Sequence, residues 1–234
     1  MGLEEEGIER AVPRLLSVYR VPGCSVACAR AGRLALSGSY GTTDDATGAA
    51  VGPGTRFQVA SVSKVVTAWA AMTLVADGLV GLDDAVGPLL RRWSFPKAAR
   101  WTELVTLRGL LSHTAGLPRA ASPVYHSLEM VPPLTDVVSG AAGTPAAVPD
   151  RPPGEAFRYS NPGYALVQLL IEDVTGSAFA AYAASRVLGP LGMTSSSFDP
   201  AAGAGSQPAA PHRRTGKRLP GGLKYPPGRR LPVR

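Results

Sequence analysis

Residues 57–64 read F-Q-V-A-S-V-S-K and place Ser61 three residues before Lys64. On a helix that spacing stacks the two side chains one turn apart. Such a pair suits nucleophilic acyl transfer. A serine hydroxyl is a weak nucleophile at neutral pH, and a neighbouring amine, together with a phenol that the amine keeps anionic, activates it. By itself the pair carries little weight. The chain holds only four lysines, yet a chance serine three residues before one of them is about a one-in-four event at average usage. A second group of interest lies in P-P-G-E-A-F-R-Y-S-N-P-G-Y-A-L, residues 152–166. There Tyr159 and Asn161 stand at the start of a helical pattern, which fixes the loop that carries them. Taken alone, a tyrosine at a helix start is a packed aromatic, and an asparagine before proline is an N-cap.

The elements that must position these residues are legible from periodicity. Ile8 to Tyr19 has apolar residues at helical spacing, with Pro13 inside it. Two β-like runs, S-V-A-C-A and L-A-L-S-G-S-Y, flank Arg30-Ala31-Gly32-Arg33, a hairpin-turn composition. Residues 42–54 form a Gly/Thr/Asp/Pro loop. From Ser61 to Ala76 apolar side chains cover nearly every face, which predicts a helix buried in the middle of the protein. Ser61 then sits in its first turn, where free amides and the helix dipole favour negative charge. Lys64 becomes a buried cation, costly without a purpose. Thr106 is the expected N-cap of a short helix in T-L-R-G-L-L-S-H-T-A-G-L-P. Residues 119–156 read as loop-rich, and helices are expected over Gly163–Thr175 and Ser177–Leu188.

A chain of 234 residues with 45% hydrophobic composition buries a substantial core. Its first residues, Met1 to Glu6, are acidic and lack the pattern of a signal peptide, and no run has the length of a bilayer span. The expected location is therefore cytoplasmic. Cys24 and Cys28 share a strand face too far apart to bridge and read as two small buried thiols. With no matching His/Cys cluster, no metal site and no cofactor are expected. The net charge of +7 is uneven. Eight Lys or Arg and no Asp or Glu fall in residues 201–234, leaving sixteen positive against seventeen negative charges before them. That Pro/Gly-rich basic end reads as an unstructured tail. One aromatic, Tyr225, and no nucleic-acid-binding fold argue against nucleic acid as the partner.

Taken together, S-V-S-K, L-L-S-H-T-A-G-L-P, Y-S-N and L-G-P-L-G-M, in this order and spacing, resemble the serine β-lactamase and penicillin-binding-protein superfamily over about Ile8 to Pro200. The likeness is to its class C branch, with relatives among esterases and D-amino-acid peptidases. The resemblance implies an α+β fold, a helical region plus an antiparallel sheet. It implies one domain over 1–200, with an N-terminal helix and hairpin at 4–41 and a helical catalytic part at 57–198, followed by the tail 201–234. It implies further that Ser61 forms an acyl-enzyme and that Lys64 holds the field that eases loss of the serine proton. Tyr159 would serve as general base and acid, and Asn161 would orient Lys64 or the substrate amide. The substrate would be a small ester, lactam or peptide. His113 is read as structural, because the family's H-T-S-G-L-like segment shapes a loop and its histidine is not the base.

The superfamily's third motif, K-T-G or a variant, lies on a strand and donates a second oxyanion amide. Arg214-Thr215-Gly216 has suitable letters, but it follows Asn161 by only 53 residues, lacks a flanking strand pattern and reads as a chance match. The expectation is a C-terminally shortened member with an incomplete sheet. Two other readings remain beside the serine hydrolase: a non-catalytic member, and a binder of anionic surfaces through the basic tail.

Overall fold

A computed structural model of the chain describes residues 3–120, 131–199 and 208–212. The described residues fall into two compact units divided between Gln58 and Val59, with 208–212 belonging to the first. No described helix is long and apolar enough to cross a membrane.

The first unit is built on the hairpin. Strands β1 (Gly23–Arg30) and β2 (Arg33–Gly41) pair antiparallel, Gly23 opposite Gly41 and Arg30 opposite Arg33, with a bulge between Cys28 and Ala29. Ala31 and Gly32 take φ values of 50° and 73°. This left-handed pair gives a two-residue turn whose twist matches that of the strands. Helix α1 (Leu3–Tyr19) precedes the hairpin and packs on β2, running through Pro13. The cysteines differ from expectation. Both are free thiols, Cys24 half-buried and Cys28 exposed, because a two-stranded sheet shields little of its surface. Residues 208–212 also depart from the expected unstructured tail. The Ala209 and Ala210 amides donate to the carbonyls of Arg56 and Thr43, and the His212 ring bonds Asp45 at 2.9 Å. The remainder of the basic segment, including Arg214-Thr215-Gly216, lies outside the described residues.

The second unit is helical. The helices are α2 (Ser63–Ala76), α3 (Leu107–Leu111), α4 (Leu134–Ser139), α5 (Asn161–Thr175) and α6 (Phe179–Ala183), with a π-turn over Ala184–Leu188. The central element is α5, not α2 as its composition suggested. Leu166, Val167, Leu169, Leu170 and Ile171 are fully buried, and α2, α3, α4 and α6 all pack on α5. Helix α2 buries one face through Thr67, Ala70, Ala71 and Leu74 and leaves Val65 and Trp69, with Val62 just before it, more than half exposed. Apolar composition shows that a face can be buried, not that a partner covers it. Thr106 caps α3 as expected, its hydroxyl accepting from the Gly109 amide at 3.1 Å.

The C-terminal end of α5 carries an ion pair that fixes the neighbouring chain. Glu172 and Asp173 are each 4% exposed. Arg92 reaches both, with Nε 2.5 Å from Asp173 and Nη2 2.7 Å from Glu172. Asp173 also accepts from the Arg91 and Arg92 amides, and Glu172 from Gln168 and the Phe179 amide. Adjacent buried carboxylates are tolerable only with such partners. Arg92→Ala leaves both anions without their cation. Because Arg92 is itself partly exposed, the expected loss is about 3 kcal/mol of unfolding free energy, at the low end for a broken buried pair. Urea denaturation followed by circular dichroism measures it, and a loss below 1 kcal/mol would show that the backbone donors suffice.

Candidate active site

Ser61 lies in a 3-10 turn, Ala60–Val62, that leads directly into α2. The preceding residue, Ala60, adopts φ 46°, a left-handed conformation that L-residues avoid. Backbone strain of this kind persists only where the surroundings enforce it, and here it presents the Ser61 hydroxyl at the surface. Lys64 follows one turn later, and its Nζ donates to Ser61 Oγ at 3.1 Å. The lysine is half-buried, less than its sequence context suggested. Its ammonium lies 4.8 Å from the ring centre of Tyr159 and 5.5 Å from that of Tyr164. Among the described residues no carboxylate pairs with it. Aromatic faces and hydroxyls hold this cation.

Tyr159 arrives from the other side of the cleft, 98 residues on in the chain, and its hydroxyl donates to Ser61 Oγ at 2.8 Å. Its loop is fixed by the start of α5. The N-cap is Ser160, the middle residue of Tyr159-Ser160-Asn161: its hydroxyl accepts from the Gly163 amide at 3.1 Å and donates to the Pro118 carbonyl at 2.9 Å. The Asn161 side chain turns to a loop carbonyl. Its amide donates to the Ala120 carbonyl at 2.8 Å, and its buried Oδ1 has no hydrogen-bond partner among the described residues. The structure therefore brings Ser61, Lys64 and Tyr159 together in one cleft, and Asn161 is not among the residues that line it.

The loop 113–118 forms the floor. Gly116 has φ 71°, and a Cβ there would stand 2.3 Å from the Arg151 carbonyl, so only glycine fits. Arg158 donates to the Leu117 and Gly116 carbonyls at 2.7 and 3.0 Å and pairs with Asp150. These bonds lock residues 150–158 against the floor loop. The resulting cleft, about 580 Å³ and open to solvent, is lined by Ser61, Lys64, Tyr159, Tyr164 and His113, with Val62, Val65 and Ala68 as its apolar wall. Sequence reasoning did not single out Tyr164 or the apolar wall. The only signal for Tyr164 was its spacing, one helical turn beyond Asn161.

The electrostatics favour proton transfer at Tyr159. Burial alone pushes its phenol up, but hydrogen bonding to Lys64 and Ser61 and the lysine charge outweigh it and hold the phenol below its ordinary range. Tyr164 moves the other way, raised by burial and then by the negative charge developing on Tyr159. The two phenols in one cleft are thereby distinguished: one is suited to lose a proton, the other to keep it. As for metal, Asp44, Asp45 and His212 in the first unit offer ligand atoms within 4.8 Å of one another. There the histidine and Asp45 already satisfy each other by a hydrogen bond.

The family model described as Beta-lactamase matches residues 8–229. Among curated proteins, the chain is similar to Protein flp of Staphylococcus aureus, strain NCTC 8325 / PS 47. The two are 28% identical over 194 residues, which is 83% of this chain and 38% of that protein. It is also similar to a D-aminopeptidase of Cereibacter sphaeroides, 26% identical over 203 residues, covering 82% of this chain and 36% of that one. Among solved structures, the octameric penicillin-binding protein homologue from Pyrococcus abyssi superposes with a TM-score of 0.74 at 25% identity. That match covers 95% of this chain and 50% of the other. The chain thus spans less than two fifths of these curated relatives and half of the structural neighbour.

Proposed function

The chain belongs to the beta-lactamase family, and from that premise we propose that it is a serine hydrolase that cleaves an ester or amide bond through an acyl-enzyme on Ser61. The observation that carries this reading is the convergence on one oxygen: Ser61 Oγ lies 3.1 Å from Lys64 Nζ and 2.8 Å from the Tyr159 hydroxyl. In the reactive state Tyr159 is ionised, stabilised by the Lys64 ammonium, and the Ser61 hydroxyl donates to it. Ser61 Oγ attacks the substrate carbonyl as its proton passes to the phenolate. The Ser61 backbone amide is one donor to the oxyanion. The tetrahedral adduct then collapses. The leaving oxygen or nitrogen departs with the proton from Tyr159, and the acyl group stays on Ser61. A water molecule reverses the sequence, giving one proton to Tyr159, which returns it to Ser61 as the acid is released.

The substrate class is an ester or amide of a small acyl group, lactams included. The D-aminopeptidase relative supports amides of D-amino-acid residues as members of that class. The deciding experiment is the intact mass of the purified chain after treatment with a fluorophosphonate and, separately, with a penicillin, followed by fragmentation. The expected result is a single stoichiometric adduct on the peptide that carries Ser61. A folded protein that acquires no adduct, or acquires it on another residue, removes the acyl-enzyme reading and leaves a non-catalytic family member.

A further inference from the structure

His113 sits in the floor loop with its backbone at φ 61°. Asparagine, aspartate and histidine are the side chains most often found there after glycine. It meets Tyr159 in three ways. Its carbonyl accepts from the Arg158 amide at 2.8 Å, and its Nδ1 accepts from the Ser160 amide at 3.2 Å. The imidazole lies 4.5 Å, centre to centre, from the Tyr159 ring. The backbone N–H groups of both neighbours of Tyr159, Arg158 and Ser160, are therefore held by one residue, and the phenol ring rests against the same side chain. The imidazole is also packed by Tyr164 at 5.1 Å and by Phe157 at 5.8 Å, and the charged group that faces it is Lys64.

We propose that His113 is the positioning residue of the proton-transfer group: it fixes the Tyr159 hydroxyl on Ser61 Oγ by holding the backbone on both sides of Tyr159 and packing at a tilt against its ring. The inference rests on the role given to Tyr159 above. Position matters because the 2.8 Å contact with Ser61 spans a cleft between segments 98 residues apart, and a displacement of about 1 Å can cost on the order of 100-fold in rate. Two features suit the imidazole to the task. First, the bond from the Ser160 amide requires Nδ1 to carry a lone pair, so any proton on a neutral ring resides on Nε2. Second, burial and then the Lys64 charge push the histidine below its ordinary range, which keeps the ring neutral and Nδ1 able to accept. A protonated His113 would lose the Ser160 bond and set a second cation against Lys64.

The test separates this role from simple packing. His113→Asn keeps a side chain tolerant of the left-handed backbone and places an amide oxygen where Nδ1 stands. His113→Phe keeps an aromatic ring against Tyr159 but accepts nothing. Two quantities are measured on folded protein: the fluorophosphonate labelling rate of Ser61 against pH, and the titration of Tyr159. The titration is the tyrosinate absorbance of each protein minus that of its Tyr159→Phe counterpart, and it needs no activity. Expected for His113→Phe is labelling slower by about 10- to 100-fold and a Tyr159 titration moved to higher pH, with His113→Asn restoring both toward wild type. If His113→Phe does not fold, His113→Gln, whose amide reaches the Nε2 position rather than Nδ1, takes its place with the same expectation. Unchanged labelling and titration in a folded His113→Phe or His113→Gln protein overturn the proposal, as does a His113→Asn protein that restores neither quantity. Absence of labelling in the wild type overturns the serine-hydrolase reading instead, and the absorbance titration still decides whether His113 places Tyr159.

Discussion

Ser61→Ala abolishes covalent labelling and lowers turnover of any ester or amide substrate by about 10⁶-fold, the scale at which removal of an activated serine nucleophile is felt. The expectation follows from the geometry rather than from the serine alone. Lys64 and Tyr159 approach Ser61 Oγ from different segments, and once that oxygen is gone neither can attack a carbonyl in its stead. The fold is expected to be indifferent. Ser61 is exposed, and water replaces its hydroxyl as the acceptor for both neighbours. Exposed substitutions of this kind change stability by about 0.5 kcal/mol or less, a shift of about 2 °C or less in melting temperature. Intact-mass labelling, steady-state turnover and a thermal melt on the same preparation check all three statements. Residual labelling of the variant at the wild-type rate would place the nucleophile elsewhere. A collapse of the melting temperature would mean that the 3-10 turn, with its left-handed Ala60, depends on the hydroxyl.

Local rules predicted those parts of this molecule that local forces determine. The turn at Ala31-Gly32 and the Thr106 cap followed from residue type, because both are decided within four residues. The Ser61–Lys64 contact followed from helical spacing. Tyr159 could not be placed by spacing, and its role came only from the order of motifs along the chain. The failures were tertiary. Taken alone, Asn161 ahead of Pro162 reads as an N-cap, proline favouring the first helical position, yet within Tyr159-Ser160-Asn161 the cap is Ser160. Two carbonyls, one at the end of the floor loop and one two residues beyond it, hold the start of α5. Pro118 accepts from the Ser160 hydroxyl and Ala120 from the Asn161 amide, contacts between segments about 40 residues apart that no local pattern encodes. Helix α2 looked central because its apolar residues are not confined to one face, yet the residues with no exposed surface at all are concentrated in α5. His113 was readable as a loop-shaping residue. Its grip on both sides of Tyr159 depends on a register between segments 47 residues apart, which no local pattern encodes.

The second large effect concerns the proton. Tyr159→Phe keeps the ring that packs on His113 and beneath Lys64 and removes only the hydroxyl. Loss of a positioned general base lowers the acylation rate by about 10²- to 10⁴-fold. The pH profile changes with it. The phenol of Tyr159 is held below its ordinary range, so the reactive phenolate accumulates as pH rises through that value, and the rate climbs along this limb before levelling. Tyr159→Phe removes the limb. Lys64→Met moves it instead. With the lysine hydrogen bond and charge gone, burial becomes the dominant influence on the phenol and raises it, so the limb shifts to higher pH and the rate at neutral pH falls about tenfold for each pH unit of displacement. Labelling rates across the pH range for wild type and both variants measure these shifts directly. A Tyr159→Phe protein that retains both rate and limb assigns proton transfer to Lys64 itself. A Lys64→Met protein whose limb stays in place shows that the lysine acts on Ser61 alone and that the phenol owes its acidity to another group.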